Sequence, residues 1–319
     1  MLRSLHLPQE GLTFSYLDSG TPNAESYATI FIIHGHAFHS ATFQKLFPIA
    51  ASRGLRIVCI NRQGFPGSSL YAEEDAHALQ SPDATEDDRD TVLRRLGSHL
   101  ARAVEQLTEE LALPQDGARA ILGWSLGNVF SLALFNSLEA KAQVSHLIVY
   151  EPVLYLLGAS VPEGAQEPLR VLSFPDFLRW VTSYWPHGDL TTRDPAQLTI
   201  TSDPSKAFKD PSPTIERLSL KEIAAAPDAI KPDTHLSQPR FSPALLRLTK
   251  AALAKAHKTG VRVVAVAGAQ TSWLSLLGAW TAFEWAEGDA QLRIIPDANH
   301  FAAWDKPDVL LDALLESLS

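Results

Sequence analysis

The stretch Gly123-Trp124-Ser125-Leu126-Gly127 reads G-x-S-x-G, a spacing that presents a serine hydroxyl as a nucleophile. The short apolar run Ala118-Arg119-Ala120-Ile121-Leu122 precedes it, and 128–135 follows with apolar residues at helical spacing. Strand, sharp turn and helix in that order lift the hydroxyl above the end of a sheet. Gly123 and Gly127 flank Ser125 because so tight a turn leaves no room for side chains. The N–H groups opening the next helix lack helical acceptors and face any oxyanion formed there, that of Leu126 first. A serine hydroxyl stays a weak nucleophile until a base takes its proton, and imidazole has the matching pKa. Of the 11 histidines, His300 has the right placement, following the run 291–296 in a small-residue loop before the terminal helix. Glu151 closes the run 144–150, the strand after the elbow helix, which puts a carboxylate on the same sheet edge as Ser125. From there it would orient the imidazole and stabilise its cationic form. Asp297, three residues before His300, is the alternative acid, in a more awkward geometry.

Strands alternating with helices must bring these three groups together. The run 12–17 alternates like a half-buried strand, whereas 28–33 is continuously apolar, as a strand covered on both faces would be. The latter ends in His34-Gly35-His36-Ala37. An elbow of this kind takes its second oxyanion donor from the loop after such a strand, here the N–H of Gly35 or of His36. His34 and His36 have no cysteine or acidic partner at ligand spacing, so no metal site is expected. A helix over 41–53, a strand over 55–60 and a turn-rich loop over 61–69 follow. Ser81 to Glu86 resembles a capped helix start, and Val92, Leu96, Leu100, Val104, Leu107 and Leu111 extend it as one amphipathic helix. Further helices are expected over 244–257, from Ser272 to about Glu287, and after Asp305, with strands over 261–267 and 291–296.

The alternation breaks between 153 and 242, where prolines crowd in and no strand-like run appears. The expected organisation is a core of 1–152 and 243–319 with 153–242 inserted as a lid. Phe174, Phe177, Trp180, Tyr184 and Trp185 fall at near-helical spacing there. Trp124, Trp180, Tyr184, Trp185 and Phe301 are expected to contact substrate. Packing is the competing role for each.

With 319 residues, 45% of them hydrophobic, the chain is long enough for one large α/β core with an insertion. Its net charge of −9 and lack of a basic stretch argue against binding nucleic acid or an anionic membrane surface. Cys59 is the single cysteine and sits in the apolar run 55–60, so no intrachain disulfide forms and a buried thiol is expected. The N-terminus has no apolar stretch of signal-peptide length, and no run is long enough to span a bilayer. A cytoplasmic protein is the expectation, with no oligomeric state assigned.

His34-Gly35, Asn61-Arg62-Gln63-Gly64 with Gly67-Ser68-Ser69, the elbow and His300 together resemble the α/β-hydrolase superfamily over nearly the whole chain. The resemblance implies a mostly parallel central sheet flanked by helices, with an inserted, mainly helical lid. In most members the acid follows the penultimate strand as Gly-x-x-Asp. Here that stretch is Gly268-Ala269-Gln270-Thr271, without a carboxylate, which supports Glu151 and predicts that Thr271→Ala impairs turnover far less than Glu151→Ala. Tyr150-Glu151-Pro152-Val153, the acid-less loop and Asn299-His300-Phe301 are similar to the fungal zearalenone-type lactonases. That likeness implies a Ser-His-Glu triad, hydrolysis of a polyketide macrolactone, no cofactor, and a ligand contact from Trp180 or Trp185.

The expected activity is therefore serine hydrolysis of an ester or lactone of a bulky, mostly apolar small molecule. Carbon–carbon bond hydrolysis by the same triad, or non-catalytic binding of a small molecule, are the alternatives. Dehalogenase and epoxide hydrolase chemistry is disfavoured because both use a carboxylate nucleophile where this chain has Ser125.

Overall fold

The computed structural model describes residues 1–139, 142–165, 168–219 and 232–318. Eight strands form one sheet: β1 (Arg3–Leu7), β2 (Leu12–Asp18), β3 (Ala28–Ile33), β4 (Leu55–Ile60), β5 (Arg119–Trp124), β6 (His146–Tyr150), β7 (Arg262–Gly268) and β8 (Gln291–Ile295). Their order is β1-β2-β4-β3-β5-β6-β7-β8. β2 runs antiparallel to β1 and β4, and every other pairing is parallel. β3 to β7 are buried almost end to end, the reason their sequences read as unbroken apolar runs. Side chains alternate across the sheet, so Ile30 and Ile32 enter one core layer, and Phe31 and Ile33 the other. β1 has no such signature because only Leu5 and Leu7 of its five residues are buried.

The helices that set the site are α1 (Glu73–Gln80), α2 (Glu86–Glu110), α3 (Gly127–Ser137), α4 (Phe174–Val181), α5 (Ser242–Thr259), α6 (Trp273–Trp285) and α7 (Pro307–Leu318). α2 starts where the sequence places it, at a capping box of Thr85 and Asp88. The regular helix expected over 41–53 is instead a 3-10 segment, one α-turn and a second 3-10 turn. Pro48 lies in the first turn of the α segment; it has no N–H to continue the preceding helix. α1 leaves no apolar periodicity in the sequence: it is short, and only Asp75 and Leu79 of it are buried.

Between β6 and α5 the described residues form short helices and turns and no strand. Residues 166–167 and 220–231 of that insertion lie outside the described set. Hydrogen bonds tie it to the loops at the sheet's C-terminal edge: Trp185 N–H to Gln270 O at 2.9 Å, and Asn299 Nδ2 to Thr182 O at 2.7 Å. Tyr184, Thr214 and Arg217 all donate to Asp305 Oδ2, at 2.7, 2.5 and 2.6 Å. Among the described residues no helix is long and apolar enough to cross a membrane.

Candidate active site

Ser125 occupies the turn between β5 and α3 with φ +56, a left-handed conformation that costs a non-glycine residue energy. The turn is held from beneath. Ser125 N–H donates to Tyr150 O at 3.1 Å, and the buried Asn128 amide donates to both Ser125 O and Tyr150 O at 2.9 Å. A Cβ on Gly127 would lie 2.2 Å from Ile33 O, and one on Gly35 would lie 2.9 Å from Ser125 Cβ. Two loops can approach the serine this closely only where side chains are absent.

Glu151 follows β6 directly, fully buried and also left-handed at φ +50. Its Oε1 accepts Gly268 N–H at 2.6 Å, and its Oε2 accepts the Thr271 hydroxyl at 2.5 Å. His300 Nδ1 lies 2.9 Å from the same Oε2. Because a carboxylate oxygen accepts, Nδ1 carries the proton and Nε2 presents a lone pair. Ser275 Oγ is a second neighbour of Nδ1, at 3.3 Å. The His300 ring leans on Trp124, whose Nε1–H donates to His300 O at 3.1 Å. Asp297, the alternative acid, is 76% exposed at its side chain and faces Lys306 at 4.0 Å.

Ser125 and His300 line one cavity, together with His36 and Leu126. Its apolar wall includes Val153, Leu156, Phe177, Trp180, Val181 and Leu274. Tyr155, Thr234, Ser237, Ser272 and Ser275 add hydroxyls, and among the described residues no Asp, Glu, Lys or Arg lines it. His36 is in the lining and Gly35 is not. Burial lowers the pKa of the His36 imidazole, with Asp233 opposing and Arg62 adding to the effect.

Of the aromatic residues expected to contact substrate, Trp180 lines this cavity. Trp124, Tyr184, Trp185 and Phe301 do not, and their packing explains why. Trp124 stands edge-on to Phe43 and Phe301 at 5.5 and 5.2 Å between centroids. Phe301 packs against Phe38 at 4.8 Å, and Trp185 lies behind Trp180 at 5.6 Å. The Tyr184 hydroxyl is spent on Asp305, and burial followed by that bond pushes its pKa up to about 12. The sequence marked none of Asn128, Ser275, Tyr155, Thr234 or Ser237. Thr271, at the position without a carboxylate, carries the signal of its bond to Glu151 in its hydroxyl.

Solved structures share this architecture along the whole chain. A bromoperoxidase from Bacillus anthracis aligns with a TM-score of 0.61 and 14% identity, covering 100% of this chain and 99% of its own. The alpha/beta hydrolase GrgF from Penicillium sp. sh18 aligns with a TM-score of 0.58 and 15% identity over 100% and 97%. An esterase from Exiguobacterium antarcticum gives 0.52 and 17% over 97% and 96%. At such identities the likeness concerns the fold. No curated protein sequence matches the chain. The sequence model of the alpha/beta hydrolase family matches residues 30–313, from β3 into the terminal helix, and the chain belongs to that family.

Proposed function

We propose that this protein is a serine hydrolase of neutral, mostly apolar esters or lactones, acting through Ser125, His300 and Glu151. The observation that carries this reading is the 2.9 Å contact of His300 Nδ1 with the buried Glu151 carboxylate. It leaves Nε2 as the base in a cavity that also holds Ser125. In the substrate complex the Ser125 hydroxyl gives its proton to Nε2 as Oγ bonds to the carbonyl carbon. The N–H groups of Leu126 and His36 hold the resulting oxyanion. Collapse breaks the carbon–oxygen bond of the leaving alcohol, which takes the proton from His300. Water, deprotonated by the same imidazole, then hydrolyses the acyl-enzyme and restores Ser125. In a lactone the alcohol and the acyl group remain one molecule.

The chemistry of the cavity wall sets the substrate class. Among the described residues the lining is apolar with hydroxyls and holds no Asp, Glu, Lys or Arg, so it offers a desolvated charged substrate no counter-ion. Segment 153–242 serves as the lid, and Trp180 is its tryptophan at the ligand, as the likeness to zearalenone-type lactonases implies. The test is turnover of a panel of neutral aryl esters and macrolactones by the protein and its Ser125→Ala variant. Wild-type turnover that falls at least ~10³-fold in the variant supports the reading. Turnover that survives the substitution refutes it.

A further inference from the structure

Outside the triad, a buried ion pair joins the insertion to the loop after β3. Arg62 Nη2 donates to Gly35 O at 2.9 Å, and its Nε donates to His34 O at 3.1 Å. Nη1 pairs with Asp233, from the insertion. Both side chains are essentially inaccessible, 1% and 0% exposed. The Asp233 carboxylate also accepts the Tyr71 hydroxyl at 3.2 Å, and the guanidinium lies over the Phe130 ring at 4.3 Å.

Gly35 O has a second donor. The His34 ring accepts Arg62 N–H at Nε2, 3.1 Å away, so its proton sits on Nδ1, 3.0 Å from Gly35 O. In a planar trans peptide the C=O and the following N–H point in opposite directions. Pinning Gly35 O towards Arg62 therefore turns the His36 N–H away from Arg62, and His36 lies on the cavity side. The next residue, Ala37, sits at φ +61, a conformation that persists only when its surroundings enforce it.

We propose that Arg62, seated by Asp233, is the positioning residue that aims the His36 N–H at the oxyanion. The proposal rests on the hydrolase reading above, and it makes a correctly placed insertion a condition of a formed oxyanion site. Thr234 and Ser237, beside Asp233, line the cavity, so the same stretch that walls the substrate completes the ion pair. A lysine cannot reproduce the fork that reaches two carbonyls and a carboxylate together.

The test compares wild type, Arg62→Lys and Asp233→Asn, each normalised to folded protein by circular dichroism. Two readouts are taken: ester kinetics, and affinity for an aryl trifluoromethyl ketone, whose serine adduct carries an oxyanion. Expected is a fall in kcat of at least tenfold with KM changed less than threefold, and a matching loss of ketone affinity. Asp233→Asn keeps the shape of the site and decides alone if Arg62→Lys does not fold. Variants with kcat and ketone affinity within twofold of wild type overturn the proposal, as does a rise in KM alone. Wild-type protein without Ser125-dependent turnover would sink the hydrolase reading itself, and this proposal with it. An active wild type with indifferent variants sinks the proposal only.

Discussion

Thr271 donates its hydroxyl to Glu151 Oε2 at 2.5 Å, from the loop position where the family most often carries the acid itself. Gly268 N–H, at the start of that loop, takes the other oxygen at 2.6 Å. The loop after β7 therefore braces a carboxylate supplied by the end of β6. Glu151→Ala should cut ester turnover to within tenfold of the His300→Ala level. Thr271→Val should cost about three- to tenfold, since one of three donors to the carboxylate is lost. Steady-state kinetics of the three variants check this, and a silent Glu151→Ala would remove the acid assignment.

Trp180 and Trp185 pack with their rings tilted by 50°, yet of the two only Trp180 lines the cavity. Trp180→Ala should raise KM for bulky aryl esters about tenfold, with a smaller effect on acetates, because one pocket wall is lost. Trp185→Ala should leave the ester preference in place and cost about 3–5 kcal/mol of stability as a buried truncation. Substrate-series kinetics with thermal melts separate the two roles. An unchanged ester preference in Trp180→Ala would argue against the cavity as the acyl or alcohol site.

Burial holds the His34 imidazole well below its usual pKa, and Arg62 pushes the same way. His36, His146 and His187 are lowered too, chiefly by burial. In the unfolded chain these rings take up protons as pH falls through about 6.5, while the folded protein resists. Their contribution to stability is therefore complete above that pH and is lost progressively below it, towards the lower folded values. For a single ring the slope approaches about 1.4 kcal/mol per pH unit. The melting temperature should drop between pH 7.5 and pH 5, and His34→Gln should flatten the drop. An equal drop in that variant would dissociate His34 from the effect.

What the sequence disclosed follows from periodicity and covalent neighbourhood. Strands β3 to β7 are covered on both faces, so apolar runs mark them. β1 is half exposed and pairs at an edge, and it left no such mark. Ser125 and Glu151 are legible because each sits directly after a strand with a strong apolar pattern, and His300 because it lies in the short loop between β8 and the terminal helices. The braces around them are not. Asn128, Thr271 and Arg62 act across 22, 120 and 171 residues of chain respectively, a relation that no local pattern records. Trp124, Tyr184, Trp185 and Phe301 share residue type and placement with true cavity residues. Only packing tells them apart.

The central claim is that Ser125 is a nucleophile activated by His300 and Glu151. Labelling with a fluorophosphonate, read by intact mass and peptide mapping, tests it most directly. The account predicts one adduct per chain, on Ser125, formed at least a hundredfold more slowly in His300→Ala and absent from Ser125→Ala. A wild-type protein that stays unlabelled, or a label that persists in Ser125→Ala, would contradict it.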